Sequence, residues 1–439
     1  MKKNFTMFII IIIITIILGG ILINIPPKIL DISFSEDISL NNTQTMTIKF
    51  AQYHPFNSKC RINNNKWVKA KNNVCEFEVK TGEYTIEIKN LFTTIKETKK
   101  VIINGIKSIA LEGKKVYLAV DETLELYTKI ETVGEADKTL TWKSSNPDVV
   151  SVDNGKITGL KNGEATITVY ANNDESYSTN IIVTDLIKPM TLNTDKTTLP
   201  CNHYTEEESK LLDDILKTKV ELKGERTRAA LIEVIRFLTL SFEYKVPYFF
   251  ENGRLENYGN ILYVDGEGRY YKKGLYLHEN KKKDIISSFV GPSIWGCPLT
   301  NFDDSYGWGV GYKYPNGLDC SGFVTWALYN SGLDIGDIGS GVSYGVEDVS
   351  DIGEMHELTY EFANSGKYKV GDIIARDGHT ALIAGIDDEY IYIAESLLKG
   401  VTIEKFSYVD PNSRLYLLYG FINTLDNVYE SDGIYENMW

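Results

Sequence analysis

Between residues 140 and 171 the chain reads LTWKSSNPDVVSVDNGKITGLKNGEATITVYA, and three turn signals cut it into short pieces: Asn146-Pro147, Asn154-Gly155 and Asn162-Gly163. A helix needs a longer uninterrupted period than these breaks leave, whereas alternating apolar and polar residues over runs this short suit half-buried strands. The preceding KVYLAVDETLELYTKI has the same character, so residues 106–185 are expected to form a β-sandwich of roughly 80 residues. Residues 30–104 also alternate, as in CEFEVKTGEYTIEIKN, and imply a second, smaller all-β domain.

The order of elements in the first stretch is specific. Trp-x-Ser-Ser-Asn-Pro at 142–147, Asn-Gly-x-Ile-Thr-Gly at 154–159 and Gly-x-Ala-x-Ile at 163–167 resemble the bacterial Ig-like domain, group 2. That resemblance implies a spacer or adhesive module, with spacer the expected role. Residues 30–104 can be a divergent sandwich of the same type.

Ahead of the strands, Lys2 and Lys3 precede an uncharged run over residues 5–25. Twenty-one residues at about 1.5 Å each reach across a bilayer core of about 30 Å, and no small-residue cleavage spacing follows. Residues 1–26 are therefore expected to be an uncleaved single-pass membrane anchor, with the later domains outside a bacterial cell. A cleaved signal peptide is the rival. Outside the cell disulfides persist, and five cysteines are present. Cys60 with Cys75, and Cys201 with Cys297, make a partition that leaves Cys320 alone; five free thiols is the other reading.

The net charge is −14, yet residues 28–100 hold twelve Lys/Arg against eight Asp/Glu. An acidic remainder excludes nucleic acid as a partner, because phosphate binding needs clustered cations. Lys66, Lys69, Lys71 and Lys80 offer a basic surface for an anionic wall polymer or membrane, or simply a solvated face.

Beyond a linker at 188–200, helical periodicity takes over in a domain at 201–439. Thr205 with Glu208 forms a capping-box signature, and a second helix is expected over about 225–243. Residues 250–305 lack a period and look like an insertion. In GLDCSGFV, residues 317–324, Asp319 is placed to cap a helix that begins at Cys320. A thiol there lies at the positive end of the helix dipole, which favours thiolate. Of five histidines, His379 opens a strand after an Asp377-Gly378 turn in GDIIARDGHTALIAGI, and an imidazole is the base such a nucleophile requires.

Together these two motifs resemble the NlpC-type cell-wall cysteine peptidases, a papain-like α+β family with a catalytic helix on an antiparallel sheet. The resemblance covers about residues 225–421. It implies Cys320 as nucleophile and His379 as general base, acting on peptidoglycan stem peptides without metal or other cofactor. No His-Glu-x-x-His or clustered Cys-x-x-Cys is present. The third, orienting position is expected at Glu395. If the hairpin loop is Asp387-Asp388-Glu389, Ile386 pairs with Tyr390 and Glu395 falls opposite Ala381, on the face of His379; an even loop puts Ala394 there instead. Tyr248 or Tyr306, with Trp308, corresponds to the family's aromatic motif, and Asp319 and Ser321 complete the substrate side. The competing readings are a non-catalytic wall-binding or adhesive surface protein, and an amidase or acyltransferase using the same thiol.

Overall fold

The alternating runs fold as two consecutive β-sandwiches, and the later part as helices packed on a six-stranded antiparallel sheet. The computed structural model describes residues 2–35, 43–53, 58–89, 96–111, 113–172, 175–249, 274–277, 289–292, 294–302, 309–335, 338 and 352–439. Most of the insertion expected at 250–305 lies outside them.

Helix α1 (Lys2–Asn24) contains the apolar run, and its described side chains are exposed. Among the described residues no helix is long and apolar enough to cross a membrane. The expectation of a spanning anchor at residues 1–26 thus stands as an exposed apolar helix at Lys2–Asn24.

In the first sandwich Lys28–Phe34, Gln44–Ala51 and Val74–Val79 form one sheet. Val68–Lys69, Lys59–Ile62, Gly82–Lys89 and Lys96–Ile103 form the other. Met46, Ile48, Ile86 and Ile88 fill the space between them, and the Cys60–Cys75 disulfide joins the two sheets. Closing a loop of about 15 residues in this way is worth about 3 kcal/mol in the chain-entropy picture.

The second sandwich has a sheet of Leu140–Ser144, Gly163–Ala171, Ser176–Thr184 and Lys115–Ala119, the last two parallel. Its Asn-Gly signal works as expected. Asp153 pairs with Lys156 across a two-residue loop in which Asn154 and Gly155 take φ of 49° and 90°, the left-handed pair that a type I′ hairpin needs.

A spacer would project freely; this one is docked. Tyr117 and Ala119 of its sheet join the same buried cluster as Leu212, Ile215 and Leu216 of α2 (Glu206–Lys223). Lys115 Nζ lies 2.7 Å from Asp214, which also accepts from the Tyr117 hydroxyl. Lys219 is shared between Glu122 of the sandwich and Glu233 at 3.7 and 3.4 Å. The linker is docked as well. Ile187 and Leu199 are buried, and Lys196 Nζ donates to the carbonyls of Thr239, Leu240 and Phe242. Those carbonyls end α3 (Arg228–Arg236) and its widened last turn, Phe237–Ser241, so the ammonium acts as a C-terminal cap. Burial pushes Lys196 down to about 8.

Helix α4 (Cys320–Asn330) packs on a six-stranded sheet. Its strands are β1 (Glu354–Glu357), β2 (Ile373–Arg376), β3 (His379–Ile386), β4 (Tyr390–Leu397), β5 (Gly400–Ser407) and β6 (Phe421–Thr424). The spatial order is β1-β6-β2-β3-β4-β5, antiparallel throughout. Phe323, Val324 and Ala327 of α4 meet Leu382, Ala384 and Ala394 on one face. Ala381, Ile383, Ile393, Leu415 and Tyr419 fill the other.

One cation holds this domain's ends together. Arg228 is fully buried. Its guanidinium donates to Asp372 at 2.6 Å, Asp426 at 2.6 Å, Asp432 at 3.0 Å and the Val370 carbonyl at 3.1 Å, and its plane lies 4.5 Å from the Tyr429 ring.

Removing one member of a buried ion pair leaves its partner uncompensated, a loss of about 3–5 kcal/mol. Arg228→Met is expected to lower the unfolding free energy of the C-terminal domain, read from urea titration, by that amount, and adding Asp372→Asn to recover part of it. Burial raises the carboxyls of Asp426 and Asp432, but hydrogen bonds from Lys369 and Arg228 outweigh it and hold both below the ordinary range. A depressed carboxyl stabilises the fold above the unfolded value near 4 and loses that contribution as pH falls through the folded value. The stability gap between wild type and Asp426→Asn/Asp432→Asn should therefore close in acid, as read by urea titrations from pH 7 to pH 2.

Candidate active site

The thiol is placed by backbone contacts made before the helix starts. Gly317 approaches Pro247 so closely that a Cβ there would meet the Pro247 carbonyl oxygen at 1.7 Å, and Leu318 N donates to that oxygen at 3.0 Å. On its other side, Val401 N donates to Val246 O at 2.8 Å. The Val-Pro-Tyr segment is thus clamped between β5 and the loop ahead of α4. Tyr248 follows directly, and burial with the charges of Asp319 and Cys320 raises its phenol above the ordinary value. It remains a neutral O–H donor beside the thiol.

Asp319 caps α4 as expected, accepting from Gly322 N at 2.7 Å and from Ser321 Oγ at 3.2 Å. Cys320 occupies the first helical position and is 7% exposed. It is the one free cysteine among the five, since Cys201 and Cys297 are also disulfide-bonded. Leu318 O accepts from Ser396 Oγ at 2.6 Å, which brings the start of α4 to the end of β4 beside Glu395.

At that end His379 and Glu395 meet: His379 Nε2 lies 2.7 Å from Glu395 Oε2, and both side chains are buried. An ionised carboxylate only accepts, so Nε2 carries the proton and Nδ1 is left as the basic nitrogen. The route to this pairing differs from the expectation. The hairpin turn is even, with Ile386 opposite Ile391 rather than Tyr390. A register shift between Ile383 and Gly385 then sets Leu382 opposite Ala394, which returns Glu395 to the face of His379. One bulged residue reverses the parity of everything beyond it.

Tyr419 was not legible as part of this group. Its hydroxyl donates to the same Glu395 Oε2 at 2.8 Å. Burial first, then the Glu395 charge, pushes its phenol far above the ordinary range, so it stays a donor. Only its place as an aromatic before Gly420 hinted at a special position. A cavity of about 430 Å³ opens on this side of the imidazole, lined by Arg376, His379, Glu395, Lys399, Arg414 and Tyr419 among others. Arg376 sits beside the Asp377-Gly378 turn, where Gly378 takes φ 73°.

Of the residues expected at the site, then, Tyr248, Asp319 and Ser321 gather around Cys320, and Glu395 binds His379. By strand alternation His379 and Glu395 point to the face opposite the one that α4 covers, so the two groups share an end of the sheet rather than a face. Tyr306 and Trp308 lie outside the described residues. Among the described residues no group of three His, Cys, Asp or Glu side chains is arranged to hold a metal.

Comparisons with known proteins cover parts of the chain. Residues 106–181 match the bacterial Ig-like domain (group 2) family. An uncharacterised protein of Clostridium acetobutylicum is 31% identical over 134 residues, 28% of this chain and 34% of its own length. A 3-O-alpha-D-galactosyl-alpha-L-arabinofuranosidase of Bifidobacterium longum subsp. longum is 34% identical over 90 residues, 19% of this chain and 8% of its own. The chain thus spans about a third or less of either relative. Among solved structures, a C-terminal 282-residue fragment of intimin, in complex with the intimin-binding domain of its translocated receptor, aligns at 17% identity. It covers 44% of this chain and 79% of that one, at a TM-score of 0.25. The surface-layer protein SbsC aligns at 12% identity over 38% of this chain and 29% of its own, at 0.18. The chain therefore carries a bacterial Ig-like domain of group 2 at residues 106–181.

Proposed function

We propose that the chain is a cell-surface peptidoglycan hydrolase whose C-terminal, papain-like domain cleaves stem-peptide amide bonds by thiolate attack. The observation that carries this reading is the 2.7 Å pair of His379 Nε2 with Glu395 Oε2 at the sheet end where α4 presents the free thiol of Cys320. The thiol and the imidazole belong to opposite faces at one end of the sheet, so the step requires them to meet around that end: Nδ1 of His379 then takes the Cys320 proton, and the sulfur attacks the amide carbonyl. Backbone N–H groups at the start of α4 stabilise the oxyanion. The C–N bond breaks as imidazolium protonates the leaving amine, giving a thioester and a free amine. Water, deprotonated by His379, then releases the acid and restores the thiol. Glu395 stabilises the imidazolium, and Tyr419 fixes Glu395. Among the described residues Arg376 and Arg414 have no ion-pair partner and line the adjoining cavity, a setting suited to stem-peptide carboxylates.

A display role without catalysis is favoured by a different observation, the Ig-like match at residues 106–181, and the same assay separates the two. Purified cell wall is incubated with the protein and the released peptides are weighed by mass spectrometry. Wild type is expected to release stem-peptide fragments with new amino termini. Cys320→Ala and His379→Ala should each abolish release without unfolding the domain, and the double variant should be no worse. Fragment release by Cys320→Ala would overturn the assignment.

Glu395→Gln keeps a hydrogen-bond acceptor for Nε2 but removes the charge that stabilises imidazolium. Turnover is expected to fall about 10-fold to 1000-fold, less than on loss of the nucleophile. Tyr419→Phe should cost less again, since it acts on Glu395 and not on the imidazole. Steady-state rates on a defined stem peptide check both, and a Glu395→Gln enzyme at full rate would leave His379 without its orienting partner.

A further inference from the structure

The surplus of Lys and Arg in residues 28–100 is concentrated on one face of the first sandwich. In its four-stranded sheet the register sets Lys69 opposite Lys59 and Lys59 opposite Lys89. Cys60, Ile62, Ile86 and Ile88 point into the core, so by two-residue alternation the positions of this row face outward. With strands about 4.8 Å apart, three lysine positions recur along a straight row of about 9–10 Å.

Like charges directly opposite one another on a sheet are destabilising, and here two such pairs follow in succession. The core beneath does not require them. A local rule broken without a folding benefit is characteristic of a functional surface. Trp67 flanks the row, with the Arg61 guanidinium 4.6 Å and Lys89 Nζ 4.4 Å from its ring. Arg61 also pairs with Glu87 and so neutralises an acid next to the row. The exposed Glu76 and Glu78 lie in the other sheet. An ammonium is a point charge that suits phosphate without the paired geometry an arginine gives carboxylates. A single row on a flat sheet suits a chain more than a compact ligand.

We propose that Lys69, Lys59 and Lys89 form a track for a linear phosphodiester polyanion laid across the strands. The test uses the full chain in uncharged detergent with poly(glycerol phosphate) as probe, and binding is titrated against NaCl. Counterion release at about 0.7 per contact on a flexible polyanion predicts a log–log slope of about −2 for three contacts. Lys59→Gln with Lys89→Gln should shallow that slope by about 1.4, while Lys28→Gln with Lys49→Gln, the same charge loss on the other sheet, should not. The first pair should also raise the thermal midpoint at low salt, because repulsion is relieved. Should that pair not fold, Lys69→Gln on the short edge strand reads the same effect, a change of about 0.7. Equal losses in both pairs, or an unchanged slope in the first, would overturn the track. So would binding to vesicles of phosphatidylglycerol with none to the polymer, which would assign the row to lipid headgroups.

Discussion

The C-terminal domain depends on a charge that water cannot reach. Arg228 opens α3, yet its partners come from the β2 approach and from the last residues of the chain. A buried guanidinium demands that every donor find an acceptor, so Asp372, Asp426, Asp432 and the Val370 carbonyl must arrive together or not at all. Asp372 is drawn in twice, because its other oxygen accepts from Lys369 N at 2.7 Å and Oδ1 also accepts from Leu425 N at 3.0 Å. That places the start of β2, and with it the strand pair that begins at His379, relative to α3. Since α3 packs on both α4 and β3, the same charge sets the helix that bears the thiol against the strand that bears the imidazole.

How far this was legible in the residues depends on the range of the interaction. The caps at Thr205 and Asp319, the Asn154-Gly155 hairpin and the turn before His379 are local, and each follows from a few adjacent side chains. Cys320 stood out for a similar reason: a thiol at a helix start has a chemical consequence wherever the helix lies. Glu395 was reached by a premise that does not hold, an odd hairpin loop, and its face is restored by a bulge that neither Ile383 nor Gly385 announces. Tyr419 lies 24 residues from its acceptor, and only the Gly420 that follows it marks its neighbourhood. The linker looked like a connector because Lys196 reads as solvated; its three carbonyl partners exist only once α3 has ended in a widened turn.

Docking of the second sandwich alters what a spacer can mean here. Tyr117 and Ala119 alternate with Val116 and Leu118, which fill the sandwich's own core, so on an isolated sandwich they would face outward; here they lie in the buried cluster that runs into α2. Lys219, itself buried, is shared between an acid of the sandwich and an acid of α3. Apolar burial sets the approach of the two surfaces, and the shared ammonium penalises any rotation that would strand it without a carboxylate. A ligand held by the second sandwich would therefore present itself to the C-terminal domain at a fixed separation, which a flexible connector could not ensure.

The same economy of contacts explains the sequence around the thiol. Gly317 is needed because the chain passes against Pro247, and the clamp on Val246 is closed from the other side by Val401, next to Gly400, where a Cβ would meet the Val246 carbonyl oxygen at 2.6 Å. Two glycines from distant parts of the chain thus admit one short segment between them, and that segment ends in Tyr248. The phenol, the capping carboxylate of Asp319 and the thiol are consequently positioned by backbone rather than by side-chain packing. Packing would let Tyr248 swing among rotamers with the surrounding core; hydrogen bonds to main-chain carbonyls on both flanks fix the residue from which it hangs. A thiol's reactivity depends on what lies within a few ångströms of it, and a main-chain clamp holds that surrounding constant.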